Sequence, residues 1–322
     1  MSEEIVAMIK QADSRIEDLS LLDGRVTGFR VRVEDAGDAP LVVYLHGGGG
    51  GAFECLTPGR SALGTAADHG IPGFSLNRPG YHGSEWLGVG ATEDDALYQP
   101  TAKVIDDALA DLWERFGGES RGIVVYGASV GGAVAIDLAR IWGEQAATGS
   151  NRWPLIGLIA TDVGHAKTQE AFDCWNATEV KEVVDSVAPL VQQYFDFGPD
   201  WCRFGSPGEG GRALVIPRAE MLEITGGWAR RALDQAASVT VPVLYRVGEF
   251  DPLWLTEDEH IAAFNAALRT SSPYVDGGRV DGASHGITGG PRGASCILEF
   301  VAFLELCRAA AKEPRLIDHS KR

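Results

Sequence analysis

Four short, continuous apolar runs constrain this chain more than any other feature: LVVYL (41–45), IVVY (123–126), LIGLIA (155–160) and VPVLYRV (241–247). A strand with one wet face alternates apolar and polar residues. A run without alternation suits a strand covered on both faces, as in a parallel sheet. Stretches of helical period accompany these runs, near 56–69, 97–116, 131–146, 257–269 and 294–311. Strands alternating with helices of that length are βαβ units, so the fold class is α/β with a mostly parallel sheet. FRVRVE (29–34) does alternate and reads as a half-exposed strand, and residues 3–13 read as a short surface helix. The alternation breaks between about 164 and 240, where helix-like pieces flank the Gly/Pro-rich FGPDWCRFGSPGEGG (197–211). That region is expected to be an insertion between two sheet strands, with 1–163 and 241–322 forming the core domain.

Composition narrows the classes. A chain of 322 residues with 45% hydrophobic content can bury one large core. No run approaches the roughly 18 consecutive apolar residues of a membrane span, and the acidic start Met1-Ser2-Glu3-Glu4 lacks the features of a secretory signal. A cytoplasmic protein with no membrane partner is expected. Five scattered cysteines, an odd number without a C-x-x-C pair, read as reduced thiols. A net charge of −17 repels phosphate backbones, so nucleic acid is not an expected partner; a small-molecule substrate is. No His/carboxylate cluster of metal-ligand spacing occurs, so neither metal nor cofactor is expected.

Chemistry concentrates in GIVVYGASVGGAVAIDLA (122–139). With 41 glycines, a bare G-x-S-x-G match carries little weight. Its place gives it meaning: Ser129 lies where a buried strand turns into a helix, as a nucleophile elbow requires. There the helix start offers free N–H groups to a developing oxyanion. A serine needs a base. His285, in the glycine-rich loop VDGASHGITGG (280–290), is placed to reach the carboxyl end of the sheet. His46 is read as ordering the glycine run after it, and His82 and His165, after strand ends, as second-rank pocket residues. The base needs a carboxylate. Asp251 in VGEFDP and Asp162 in LIATDVG both end strands and both fit the order Ser…Asp…His; the Gly-Glu-x-Asp setting favours Asp251. The run YLHGGGGGAF (44–53) can bring bare N–H groups to a ligand, with Gly48 the first choice of oxyanion donor, Gly49 the second, and the Val130 N–H their partner. No G-K-[S/T] follows, which excludes a P-loop.

Together these segments resemble the α/β-hydrolase fold superfamily. His46-Gly47-Gly48, Asn77-Arg78-Pro79-Gly80-Tyr81-His82-Gly83-Ser84, the Gly127–Gly131 elbow, Gly248-Glu249-Phe250-Asp251 and Ser284-His285-Gly286 carry the likeness, spread over about residues 25–310. Two departures stand out: Asn77 replaces the usual acid before Arg-Pro-Gly, and five glycines follow His46. The resemblance implies a mostly parallel eight-stranded sheet flanked by helices, with 164–240 as a helical cap over the site. It also implies Ser129, Asp251 and His285 as nucleophile, acid and base of an acyl hydrolase. Cap aromatics, Trp175 and Trp228 among them, are expected either to wall an apolar pocket or to form the cap's own core. The leading expectation is cleavage of an ester, lactone or related acyl bond in a small-to-medium hydrophobic substrate. C–C bond hydrolysis, lyase or cyclase chemistry, or ligand binding with little hydrolysis, remain alternatives on the same scaffold.

Overall fold

A computed structural model describes residues 3–87, 97–171, 173, 216 and 218–317. Helix α1 (Glu3–Ala12) leads into strands β1 (Ile16–Leu21), β2 (Val26–Val31) and β3 (Leu41–Leu45). Then come α2 (Ala62–Asp68), β4 (Gly73–Leu76), α3 (Tyr98–Phe116), β5 (Ile123–Ala128), α4 (Val130–Thr148) and β6 (Leu155–Thr161). Within the expected insertion the described chain resumes in α5 (Arg218–Leu222), a π-helical stretch over Glu223–Trp228, and α6 (Ala229–Ala237). It closes with β7 (Val243–Phe250), α7 (Asp258–Leu268), β8 (Val275–Ser284) and α8 (Gly293–Lys312).

The eight strands form one sheet in the order β1-β2-β4-β3-β5-β6-β7-β8. The β1/β2 and β2/β4 pairs are antiparallel and every other pair is parallel. The unbroken apolar runs are explained by what covers them. Along β3, Leu41, Val43 and Leu45 face a core built with α3 and α4, while Val42 and Tyr44 face a second core with α1, α2 and α8. Strand β5 divides the same way, Ile123 and Val125 against Val124 and Tyr126. Both faces are dry, so neither tolerates alternation.

Two elements differ from the sequence reading. Strand β1 escaped notice because IEDLSL is an edge strand that buries only Ile16, Leu19 and Leu21 and leaves its acids in water. Helix α2 starts at Ala62, not near 56: Glu54–Leu56 is a 3₁₀ turn, Pro58-Gly59 interrupts, and Ser61 caps the helix by accepting from the Gly64 N–H at 2.8 Å. The insertion falls between β6 and β7 as expected, and most of it, 174–215, lies outside the described residues. No helix among the described residues is long and apolar enough to cross a membrane.

Phe74 on β4 is fully buried, packs its ring against Phe116 of α3 at 5.3 Å and lies under the Arg30 guanidinium. Phe74→Ala is expected to lower stability by about 3–5 kcal/mol through the cavity it leaves, read as a shift in urea midpoint at unchanged slope.

Candidate active site

The parallel strands end on one edge of the sheet, and the loops that follow β3, β5, β6, β7 and β8 meet there. Ser129 occupies the single residue between β5 and α4, with φ 55° and ψ −120°. A side chain other than glycine is rarely held there, and holding one costs of order 1–3 kcal/mol. Hydrogen bonds fix it: its N–H donates to Thr161 O at 2.8 Å, and its carbonyl accepts from Gly132 and Ala133 at the head of α4. The flanking glycines are steric requirements. A Cβ at Gly131 would lie 2.1 Å from Leu45 O, and one at Gly127 would lie 2.2 Å from Gly131 O.

The turn aims Ser129 Oγ at His285, whose Nε2 is 3.0 Å away. His285 Nδ1 lies 2.8 Å from Asp251 Oδ2, and Asp251 Oδ1 accepts the N–H groups of Leu253 and Trp254 at 2.8 and 3.3 Å. Asp162 takes a different place. Its Oδ1 accepts from the Gly286 and Ile287 N–H groups at 2.8 and 3.1 Å, so it anchors the loop that carries the histidine and does not bond the imidazole. Burial disfavours an imidazolium at His285, but Asp251 first, then Asp162 and Glu54, outweigh it and push the pKa up to about 9. Burial also raises the Asp162 and Glu54 carboxyls.

The glycine run wraps the other side of Ser129. His46 is buried and kept neutral, its pKa held well below the usual value first by burial and then by the nearby Arg78 charge. Its Nδ1 lies 2.7 Å from Gly47 O, and its Nε2 accepts from the Arg78 N–H at 3.1 Å, which fixes the proton on Nδ1. The Arg78 side chain is completely buried and donates from Nε to His46 O (2.8 Å) and from Nη2 to Gly47 O (3.0 Å). Its guanidinium pairs with Glu220 of α5, which also accepts from Tyr81 Oη at 2.6 Å.

Ser129 and His285 open onto a cavity of roughly 280 Å³. Its apolar wall includes Ile216, Met221, Ile224 and Leu253, and its polar wall includes Glu54 and Tyr44, joined by a 2.9 Å hydrogen bond.

At the level of sequence, no protein-family model and no curated protein matches the chain. Solved structures do match. A thermostable carboxyl esterase from Bacillus coagulans, in complex with glycerol, superposes with TM-score 0.61 at 14% identity, over 91% of this chain and 99% of that one. An esterase of M. tuberculosis gives 0.58 at 17% identity, over 95% and 100%. E-2-(acetamidomethylene)succinate hydrolase gives 0.58 at 19%, over 90% and 99%. The chain has the α/β-hydrolase fold.

Within this α/β-hydrolase scaffold the expected residues divide. Ser129, His285 and Asp251 come together, and so do Gly48 and Val130, which line the cavity beside Ser129. Gly49 does not: its N–H is turned away and donates to Tyr81 Oη at 3.2 Å. His82 lies against Gly50 O and the Phe53 ring, outside the cavity walls. His165 is drawn off toward His260 and Phe264. Trp228 is fully buried in the main core, donating its indole N–H to Gly164 O at 2.9 Å, and does not line the cavity. Trp175 lies outside the described residues. Sequence reasoning missed Glu54, Tyr44 and Glu220. Nothing in their spacing marks them, because each reaches the site only through the tertiary fold.

The His285–Asp251 pair has a pH signature. A folded pKa above the ordinary histidine value means the pair stabilises the fold fully below about pH 6.5 and loses that contribution as pH rises through about 9. The His285 ring resonances in an NMR titration are expected to move near pH 9, and Asp251→Asn to shift that midpoint down.

Proposed function

We propose that this protein is a serine hydrolase that cleaves an ester, lactone or related acyl bond of a small-to-medium, largely apolar substrate. The observation that carries the reading is the continuous chain Ser129 Oγ–His285 Nε2 at 3.0 Å and His285 Nδ1–Asp251 Oδ2 at 2.8 Å, opening on a cavity. Ser129 attacks the acyl carbon while neutral His285 takes its proton. Asp251 holds the imidazole in the Nδ1–H tautomer and stabilises the imidazolium that forms. The tetrahedral oxyanion is received by the Gly48 and Val130 N–H groups. The Val130 N–H, first in α4, has no acceptor within its helix. His285 then delivers the proton to the leaving group, and water repeats the sequence on the acyl-serine.

Ile216, Met221, Ile224 and Leu253 give the acyl chain an apolar surface, while the Glu54–Tyr44 pair presents polar groups to the rest of the substrate. We read the segment between β6 and β7 as a cap, a reading supported by its described end, Ile216 and α5, which supplies part of the cavity wall. The related fold of esterases and hydrolases supports the reaction class.

The test is covalent labelling by a fluorophosphonate, read by intact mass, beside turnover of p-nitrophenyl esters. One label per chain is expected, and Ser129→Ala is expected to abolish it and to lower kcat by more than about 10⁴-fold. Because the base must be neutral to act, kcat/KM is expected to rise with pH, by about tenfold per unit below a midpoint set by His285. Labelling without ester turnover would move the proposal to C–C bond hydrolysis on the same triad. Absence of both in folded protein would overturn it.

A further inference from the structure

We infer that Arg78 and Glu220 are positioning residues for the oxyanion hole: a buried ion pair anchored on α5 turns the Gly47–Gly48 peptide so that its N–H faces the serine. The inference rests on the proposed hydrolytic role of Ser129 and adds two residues which that role does not itself require.

A run of five glycines has no preferred conformation of its own, since glycine populates both signs of φ. Within the run the Gly47 carbonyl is held only by a long 3.4 Å bond from the Gly50 N–H, so contacts from outside the run dominate the choice of which way that peptide points. A trans peptide holds its C=O and N–H on opposite sides of a plane. Fixing the Gly47 carbonyl thus fixes the direction of the Gly48 N–H. Arg78 Nη2 donates to that carbonyl at 3.0 Å and His46 Nδ1 lies 2.7 Å from it. Arg78 Nε holds the preceding carbonyl, His46 O, at 2.8 Å. With both carbonyls drawn to the guanidinium, the Gly48 N–H is directed to the opposite side, where a Gly47 Cβ would lie 3.4 Å from Ser129 Cβ and a Gly48 Cβ 3.4 Å from Val130 Cγ2. The Gly48 N–H makes no hydrogen bond to any described residue. The next peptide is held the other way, its Gly49 N–H on Tyr81 Oη, and the same hydroxyl donates to Glu220.

Arg78 performs this task from a completely buried position, where a lone cation would be strongly disfavoured. Burial works against its charge, but the Glu220 carboxylate reverses that and keeps the guanidinium protonated. Glu220 comes from α5, at the end of the insertion, and itself lines the cavity. The seating of α5 and the aim of the oxyanion donor are therefore one event. Lysine cannot replace arginine here, because a single ammonium cannot span His46 O, Gly47 O and both carboxylate oxygens as the planar fork does.

Glu220→Gln and Arg78→Lys test this in the full-length protein, each checked for folding by its urea midpoint. Both are expected to lower kcat for a p-nitrophenyl ester, Arg78→Lys by about 10²-fold as when an oxyanion donor is lost and Glu220→Gln by about tenfold, with KM within about threefold in each case. A merely structural role would not give that split. Affinity for benzeneboronic acid, whose serine adduct is tetrahedral, is expected to fall with kcat. Amide exchange of the peptide spanning 46–49 is expected to quicken in both variants, and this readout does not depend on activity. If the folded variants keep kcat, boronate affinity and loop exchange within about twofold, the inference is overturned. Should Arg78→Lys not fold, Glu220→Gln decides alone. Wild-type protein that neither labels nor turns over ester would instead overturn the hydrolase reading, and loop exchange would still decide the role of the pair.

Discussion

The left-handed backbone at Ser129 is the constraint on which the site depends. A serine at φ 55° survives because its surroundings over-determine it: β6 holds its N–H, the first turn of α4 holds its carbonyl, and Gly131 sits against the last carbonyl of β3. Three adjacent parallel strands are thereby pinned at their carboxyl ends within a few ångströms of one hydroxyl. The strain is borne by the large two-faced core beneath it, in which Val124, Val125, Leu158 and Val243 are almost wholly excluded from water. Change the packing of β3 against β5 and the hydroxyl moves with it.

The second constraint is charge. The carboxyl edge of the sheet gathers buried Asp162, Asp251 and Glu220 beside half-buried Glu54, an arrangement that self-repulsion would disperse unless each acid were matched. Asp251 is matched by His285 and two backbone N–H groups, and Asp162 by the two N–H groups that follow the histidine. Glu54 is matched by Tyr44, and Glu220 by Arg78 and Tyr81. The surplus of negative charge around His285 favours the imidazolium, the species that the proposed attack by Ser129 would form. The same surplus would withhold the neutral base at neutral pH. In the proposed reaction, stabilising the charged intermediate and supplying the free base thus pull in opposite directions, and the three carboxylates around the ring set the balance.

Much of the fold was legible because its signals are local. A run such as LVVYL has one reading when both faces must be dry, and GASVG between such a run and an alanine-rich stretch has few readings other than a strand–helix elbow. The antiparallel edge strand β1 was not legible, since half of its residues face water and its period resembles that of a surface loop. The choice between Asp162 and Asp251 was not legible either: both end strands, and only the 2.8 Å contact to Nδ1 separates the residue that bonds the ring from the one that braces its loop. Trp228 as a pocket residue misled for a related reason. Trp228 is as apolar as any wall residue, but it lies on the side of its helix that meets the core.

The sequence by itself determined the class of fold, the strand–helix turn at Ser129 and the order in which serine, acid and histidine appear. All three follow from periodicity and from the backbone freedom of glycine, which act over a few neighbouring residues. Only the tertiary structure decided that Asp251 meets the imidazole, that Gly48 rather than Gly49 faces the cavity, and that Glu220 neutralises a buried Arg78 lying 142 positions earlier in the chain. Those choices depend on directions and desolvation, and neither is set until the elements have packed.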